Sequence, residues 1–224
     1  MLANLSNSNI HFGWNGVTHQ ALSQAATNAV NKKMTGNAAD GIFNTMAITL
    51  ASPLPDKEKH VPHSHSADID SLQSGDAYDT FQQNDKKIKE EIKSGNSKNL
   101  EDLIGRNLHY LQDMTDPAHA MDYLTFIPTQ KDKDIHLQIE NDAKRIQKSA
   151  IVYAKQLPDN EDNDFDTFLT NKMSQTKEIY KDIKEVYSKR KNATNKVKLE
   201  TLETKSLVNS YQVTYRYLKS LAEG

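Results

Sequence analysis

Asn99-Leu-Glu-Asp-Leu-Ile-Gly-Arg-Asn-Leu-His109-Tyr-Leu-Gln-Asp113-Met-Thr-Asp-Pro117-Ala-His119 contains an amphipathic helix, its stop signal and a histidine just beyond the stop. Leu100, Leu103, Ile104, Leu108 and Leu111 recur at helical spacing and form one apolar stripe. Asn99 offers a side-chain cap for the first turn, and Glu101 and Asp102 suit the positive end of the helix. Pro117 ends it, because its ring clashes with a preceding carbonyl and it has no N–H to donate. His109 and Asp113 are four apart, so they lie one turn above the other at the edge of the stripe, where they can face a cleft. His119 then returns on the next stretch of chain.

The i, i+4 pairing of imidazole and carboxylate recurs at His136 and Glu140, in Asp134-Ile-His136-Leu-Gln-Ile-Glu140. One such pair is more often a solvated or hydrogen-bonded histidine than a ligand. Two pairs flanking Pro117-Ala-His119 favour a divalent cation of borderline hardness, typically zinc. All eight histidines lie in the first 136 residues and none in the last 88. His19 opens a helix through Ala21, Leu22, Ala25, Ala26 and Val30, with Thr18 available as its cap. His60, His63 and His65 crowd a polar, Pro-containing loop, which reads equally as a solvated tract or as ligands.

These residues resemble the zinc-dependent bacterial phospholipase C family, which shares its fold with single-strand-specific fungal zinc nucleases. Five blocks between residues 14 and 140 match in order. Trp14…His19 resembles the family's N-terminal Trp and first His, and Ser52-Pro-Leu-Pro-Asp56 its Ser-x-x-Pro-Asp segment. Ser64-His65-Ser-Ala-Asp68-Ile-Asp70 resembles its Ser-His-aromatic-aromatic-Asp-Pro-Asp loop. His109-Tyr-Leu-Gln-Asp113…Pro117-Ala-His119 resembles the central helix signature, the most specific of the five, and His136-x-x-x-Glu140 the closing pair.

The resemblance implies up to three zinc ions. One would be held by Asp56, His65, His109 and Asp113, a second by Trp14, His19 and Asp113, and a third by His119, His136 and Glu140. Asp113 would bridge the first two. Asp56 is the implied ligand and general base, with Asp40, in Ala38-Ala-Asp40-Gly, as the competing carboxylate. The implied reaction is hydrolysis of a phospholipid to diacylglycerol and a phosphorylated headgroup. Glu140 and the Met114-Thr-Asp-Pro-Ala-His119 context resemble the lipases, and the lack of cysteine removes the nucleases' disulfides. The five-step spacing from Trp14 to His19 is nuclease-like, so a single-strand nuclease or nucleotidase stays open, as does a non-catalytic metal-binding remnant.

Three departures from the family pattern stand out. Thirteen residues precede Trp14, whereas the family uses the free amine of an N-terminal Trp as a ligand. Residues 1–13 are polar and are expected to form a disordered, cleavable leader ahead of a single domain over 14–224. Ser66 and Ala67 replace aromatic residues near the headgroup, which argues against choline selection through cation–aromatic contact. No β-sandwich lipid-binding domain is expected after residue 224, so the expected match is to single-domain members.

A chain of 224 residues can bury a full core. Its net charge of −2 offers no basic footprint for duplex nucleic acid. Residues 172–205 carry ten basic and five acidic side chains, which reads as the wet face of a helix. No apolar run is long enough to span a bilayer, and residues 1–13 lack the basic start and apolar core of a signal peptide. Secretion is thus implied only by the resemblance, with a cytoplasmic location open; a monomer acting on phospholipid at a membrane surface is expected. Helical periodicity marks 16–32, 75–94, 134–156, 164–190 and 200–222 as further helices. Tyr187, Tyr211 and Tyr215 fall at the edge of the core. Alternating strand patterns are lacking, so the expected fold is an all-α, compact multi-helix bundle whose ligands project inward from several helices.

Overall fold

A computed structural model describes residues 15–38, 41–58, 76–95, 98–119, 130–158, 164–189 and 193–224. The 1–13 leader, Trp14, Asp40 and the histidine loop with His65 lie outside the described residues. The order is α1 (Gly16–Thr35), α2 (Thr45–Ala51), a short 3₁₀ turn (Pro55–Lys57), α3 (Asp76–Ser94), α4 (Leu100–Asp113), α5 (Gln130–Ala154), α6 (Phe165–Ser188) and α7 (Ala193–Glu223). No strand occurs among the described residues, so the all-α expectation holds.

Two helices organise the packing. α4 lies against α1, α2, α3 and α7, and α7 lies against α1, α4, α5 and α6. The α4 stripe is buried as its spacing predicts, with Ile104, Leu108 and Leu111 fully inside the core. α7 contributes Leu207, Val213 and Leu218. α1 buries two adjacent stripes. Leu22, Ala26 and Val30 form an apolar row, and beside it His19, Ser23 and Thr27 form a polar one. That doubling leaves α1 without a clean amphipathic pattern, because polar and apolar rows both face inward.

Two cap expectations are corrected. Asn15, not Thr18, caps α1: its side-chain oxygen accepts from Val17 N at 3.1 Å and Thr18 N at 3.2 Å, and Thr18 sits buried within the first turn. Asn99 occupies the cap position of α4, but its side chain makes no cap bond; its φ of −125° and ψ of 12° are not the extended geometry that aims a capping oxygen at the helix. α4 ends at Asp113, four residues before Pro117, where a continued helix would meet the ring.

α2 and the 3₁₀ turn carry no strong periodic signal, yet they set the position of Asp56. A Cβ on Gly105 of α4 would stand 2.5 Å from the carbonyl oxygen of Ile48 and 2.6 Å from the Cβ of Ala51. Only glycine permits that approach of α4 to α2. Arg106 then reaches Glu58 just past the turn, Nη1 to Oε1 at 2.6 Å, and Asp102 at 2.7 Å. The turn carrying Asp56 is thereby pinned against the face of α4 that presents His109.

Candidate metal centre

His19, His109 and Asp113 converge at the crossing of α1 and α4, and all three are fully buried. The Asp113 carboxylate lies between the two rings. Its Oδ1 is 3.4 Å from His19 Nε2 and its Oδ2 is 3.2 Å from His109 Nε2. His109 Nε2 is also 3.3 Å from Asp56 Oδ1. One donor atom from each of His19, His109 and Asp113 lies within 4.8 Å of the others, so this group could hold a metal ion. The sequence places His109 and Asp113 at an edge open to a cleft. They are instead enclosed, because α1 and the Asp56 turn cover that face of α4.

His119 approaches from the other side, with Nε2 4.0 Å from Asp113 Oδ1. The turn after α4 places it. Thr115 docks on α7, its carbonyl accepting from Ser206 Oγ at 2.9 Å and its hydroxyl lying 2.9 Å from Ser210 Oγ. Asp116 Oδ1 then accepts from Ala118 N at 2.8 Å, and His119 N donates to Asp116 O at 3.0 Å. The ring of His119 stands 6.1 Å from that of His136, centre to centre. His136 Nε2 pairs with Glu140 Oε1 at 2.8 Å across one turn of α5. Asn15 donates to the Glu140 carbonyl at 3.3 Å, tying the start of α1 to α5. Seven of the nine expected ligand residues are thus described: His19, Asp56, His109 and Asp113 lie together, His119 approaches Asp113, and the His136–Glu140 pair lies beyond His119. Trp14 and His65 are the other two.

The electrostatics fit a site for a cation. The His19 and His109 rings are 4.3 Å apart, too close for both to be charged comfortably. Burial, reinforced by His109, lowers the pKa of His19 to about 4, so it is neutral. Burial would lower that of His109 too, but the facing Asp113 and Asp56 carboxylates override it and push His109 up to about 10. Burial also works against ionisation of Asp56, yet its bond with His109 and the positive charge there keep its pKa below the usual carboxylate value. In the metal-free protein the proton on His109 therefore offsets part of the negative charge that faces it. Two imidazole nitrogens and two carboxylates are a donor set suited to zinc.

Gln112 is the functional residue that the spacing rules did not find. It is fully buried, and its Oε1 accepts from His19 Nδ1 at 2.8 Å. Its amide nitrogen donates to Ser23 Oγ at 3.0 Å and to Thr214 Oγ1 at 3.3 Å, which fixes the oxygen toward the ring. His19 is held as the tautomer protonated at Nδ1, leaving the Nε2 lone pair directed at Asp113. Ligating histidines characteristically have such a partner behind them. No sequence signal marked it, because its burial and its partners on α1 and α7 arise only in the folded bundle, where an amide in a core needs several partners.

No protein-family model matches the chain, and no curated protein matches it by sequence. Solved structures do match. Alpha-toxin of Clostridium perfringens from an avian strain aligns with a TM-score of 0.60 at 18% identity, over 95% of this chain and 66% of the toxin. Alpha-toxin of Clostridium absonum aligns with a TM-score of 0.57 at 16% identity, over 92% of this chain and 64% of the toxin. The chain therefore has the helical fold of these toxins and spans about two thirds of their length. This is the fold that the resemblance to the zinc-dependent phospholipases C implies.

Proposed function

We propose that the chain is a zinc-dependent phosphodiester hydrolase of the phospholipase C type. The observation that carries this reading is the Asp113 carboxylate set between His19 Nε2 and His109 Nε2, with Asp56 on the far side of His109. Asp56, His65, His109 and Asp113 would hold one ion, Trp14, His19 and Asp113 a second, and His119, His136 and Glu140 a third. Zinc bound there supplies Lewis acidity, lowering the pKa of water toward about 7 and neutralising charge that develops on the phosphoryl oxygens.

The chain's own groups divide the remaining work. Asp56 is half-buried and held ionised, so its carboxylate is ready to take the proton of an attacking water. Asp113 has no exposed surface and keeps its two oxygens aimed at different histidines, so it could serve both the ion on His19 and the ion on His109. Gln112 orients His19, and the Asp116 turn orients His119.

The products on this reading are diacylglycerol and a phosphorylated headgroup, with weak selection for choline because Ser66 and Ala67 stand where the family has aromatics. A single-strand nuclease is the second reading, favoured by the five-step spacing from Trp14 to His19. The protein would act as a secreted monomer at a phospholipid surface; no described helix is long and apolar enough to cross a membrane. Residues 1–13 would be removed so that Trp14 presents a free amine. The test incubates zinc-loaded chain beginning at Trp14 with short-chain phospholipids and with single-stranded DNA. Diacylglycerol as the main product supports the lipase; faster release of mononucleotides transfers the site to nucleic acid.

A further inference from the structure

A second concave region lies at the other end of α1. His19 stands near the start of that helix and Lys32 and Lys33 near its end, about 20 Å away at ~1.5 Å per residue. The ends of α1 and α5, with the faces of α6 and α7, enclose a groove of about 660 Å³, within the range of small-molecule sites. Its floor includes Ala29, Leu157, Phe168, Tyr211 and Tyr215. Tyr211 and Tyr215 stack with ring centres 6.2 Å apart, and the Tyr211 side chain is buried. Lys32, Lys33 and Lys155 stand around it.

Lys172 is the informative group. It reaches the groove from α6 and is half-buried. Its Nζ donates to Asn209 Oδ1 at 3.1 Å and lies 5.4 Å above the Phe168 ring centre, with Gln175 Oε1 at 3.5 Å. These partners are neutral, and no carboxylate among the described residues lies within ion-pairing distance of it. Burial of that uncompensated charge pushes the ammonium's pKa below its usual value. An ammonium placed so, at the edge of an apolar and aromatic floor, lacks an anion with an apolar body.

We propose that this groove binds a long-chain fatty-acid anion, its carboxylate on Lys172 and its chain along Phe168, Tyr211 and Tyr215. One half-buried ammonium suits a single negative charge, and the three other lysines add attraction without requiring a multivalent headgroup. The floor accounts for the chain, since burying methylenes against apolar and aromatic side chains is favourable. The site is independent of the metal centre and of the hydrolase reading.

The test is displacement of a dansyl-labelled fatty acid from the full chain, below micelle-forming concentrations, by myristate, tetradecanol or acetate. Myristate should compete at least about tenfold better than either, because only it has both head and chain. Lys172→Met should weaken myristate at least about tenfold, Lys172→Arg should keep it within a few-fold, and Ala29→Trp should block it by filling the floor. Bound zinc should not change in any of them. Tetradecanol matching myristate, or Lys172→Met and Ala29→Trp both leaving binding unchanged, would overturn the proposal. Binding that emerges only after Asp159, Glu161 and Asp162 are neutralised would overturn it too, because the chain's own acidic segment would then be the occupant.

Discussion

Asp113 and Glu203 are both carboxyl residues with no exposed surface, and the bundle treats them in opposite ways. Asp113 faces His19, His109 and His119 within 3.2 to 4.0 Å. Glu203, on α7, has neither carboxyl oxygen hydrogen-bonded among the described residues. Burial, then Asp142, raises its pKa to about 9; Arg145 opposes this and Glu200 adds to it. The Tyr187 hydroxyl, shifted upward by burial and by Glu203, marks the α6 side. A buried carboxylate ringed by imidazoles can stay charged and attract a cation, whereas one left with a few like charges takes up a proton and goes silent. Burial of an acid therefore favours a cation site only when its surroundings keep it ionised.

The difference can be broken at several points. The largest effect on turnover is expected at Asp56, the ionised group at the rim of the Asp113 site. Asp56→Asn should lower phosphodiester hydrolysis by ~10²–10⁴ while the chain stays folded. Asp40→Asn serves as the comparison. If Asp40→Asn abolishes turnover and Asp56→Asn stays within a few-fold, the base has been assigned to the wrong carboxylate.

Gln112 sharpens the comparison without touching a ligand. Gln112→Leu leaves His19 without its Nδ1 partner, and zinc affinity should fall about 10- to 100-fold in competition with a chelating dye. The ¹⁵N shifts of the His19 ring should also show loss of the single tautomer, which a purely packing role would leave in place. Unchanged affinity with unchanged ring shifts would remove Gln112 from the site.

Glu203 gives the smallest effect and the opposite sign. Its folded pKa lies above the unfolded value near 4.5, so its burial cost is absent below about pH 4.5 and grows as pH rises toward 9. Glu203→Gln should therefore stabilise the chain by about 1–3 kcal/mol at pH 8 and by little at pH 4.5, read from urea unfolding of both proteins. An equal difference at the two pH values would mean that Glu203 does not titrate in the folded chain.

The sequence made the helices and most of the site legible because both are periodic. The α4 stripe, the two i, i+4 pairs and Pro117 follow from helix geometry alone, and most helices lie near the expected residues, although α1 runs on to Thr35, α5 begins four residues early at Gln130 and α7 seven residues early at Ala193. Depth was not legible. Whether His109 faces water depends on α1 and the Asp56 turn, and the position of that turn depends on Gly105 against α2 and on Arg106 reaching Glu58, contacts between segments distant in sequence. Gln112 escaped for a similar reason. Its partners His19, Ser23 and Thr214 come from helices at the two ends of the chain, and no local pattern announces them. Glu203 shows the converse, a residue that reads as a surface charge in a Lys-rich stretch and proves to be buried.

If Asp113 is shared between two ions, as proposed, its removal changes the number of zinc ions that the protein holds. Native mass spectrometry of the chain beginning at Trp14, beside its Asp113→Ala variant, gives the number of ions on each folded protein. More than one zinc lost from the variant, with the parent retaining up to three, is the expected result. A variant that keeps the parent's full complement, or a folded parent that binds none, would contradict the account.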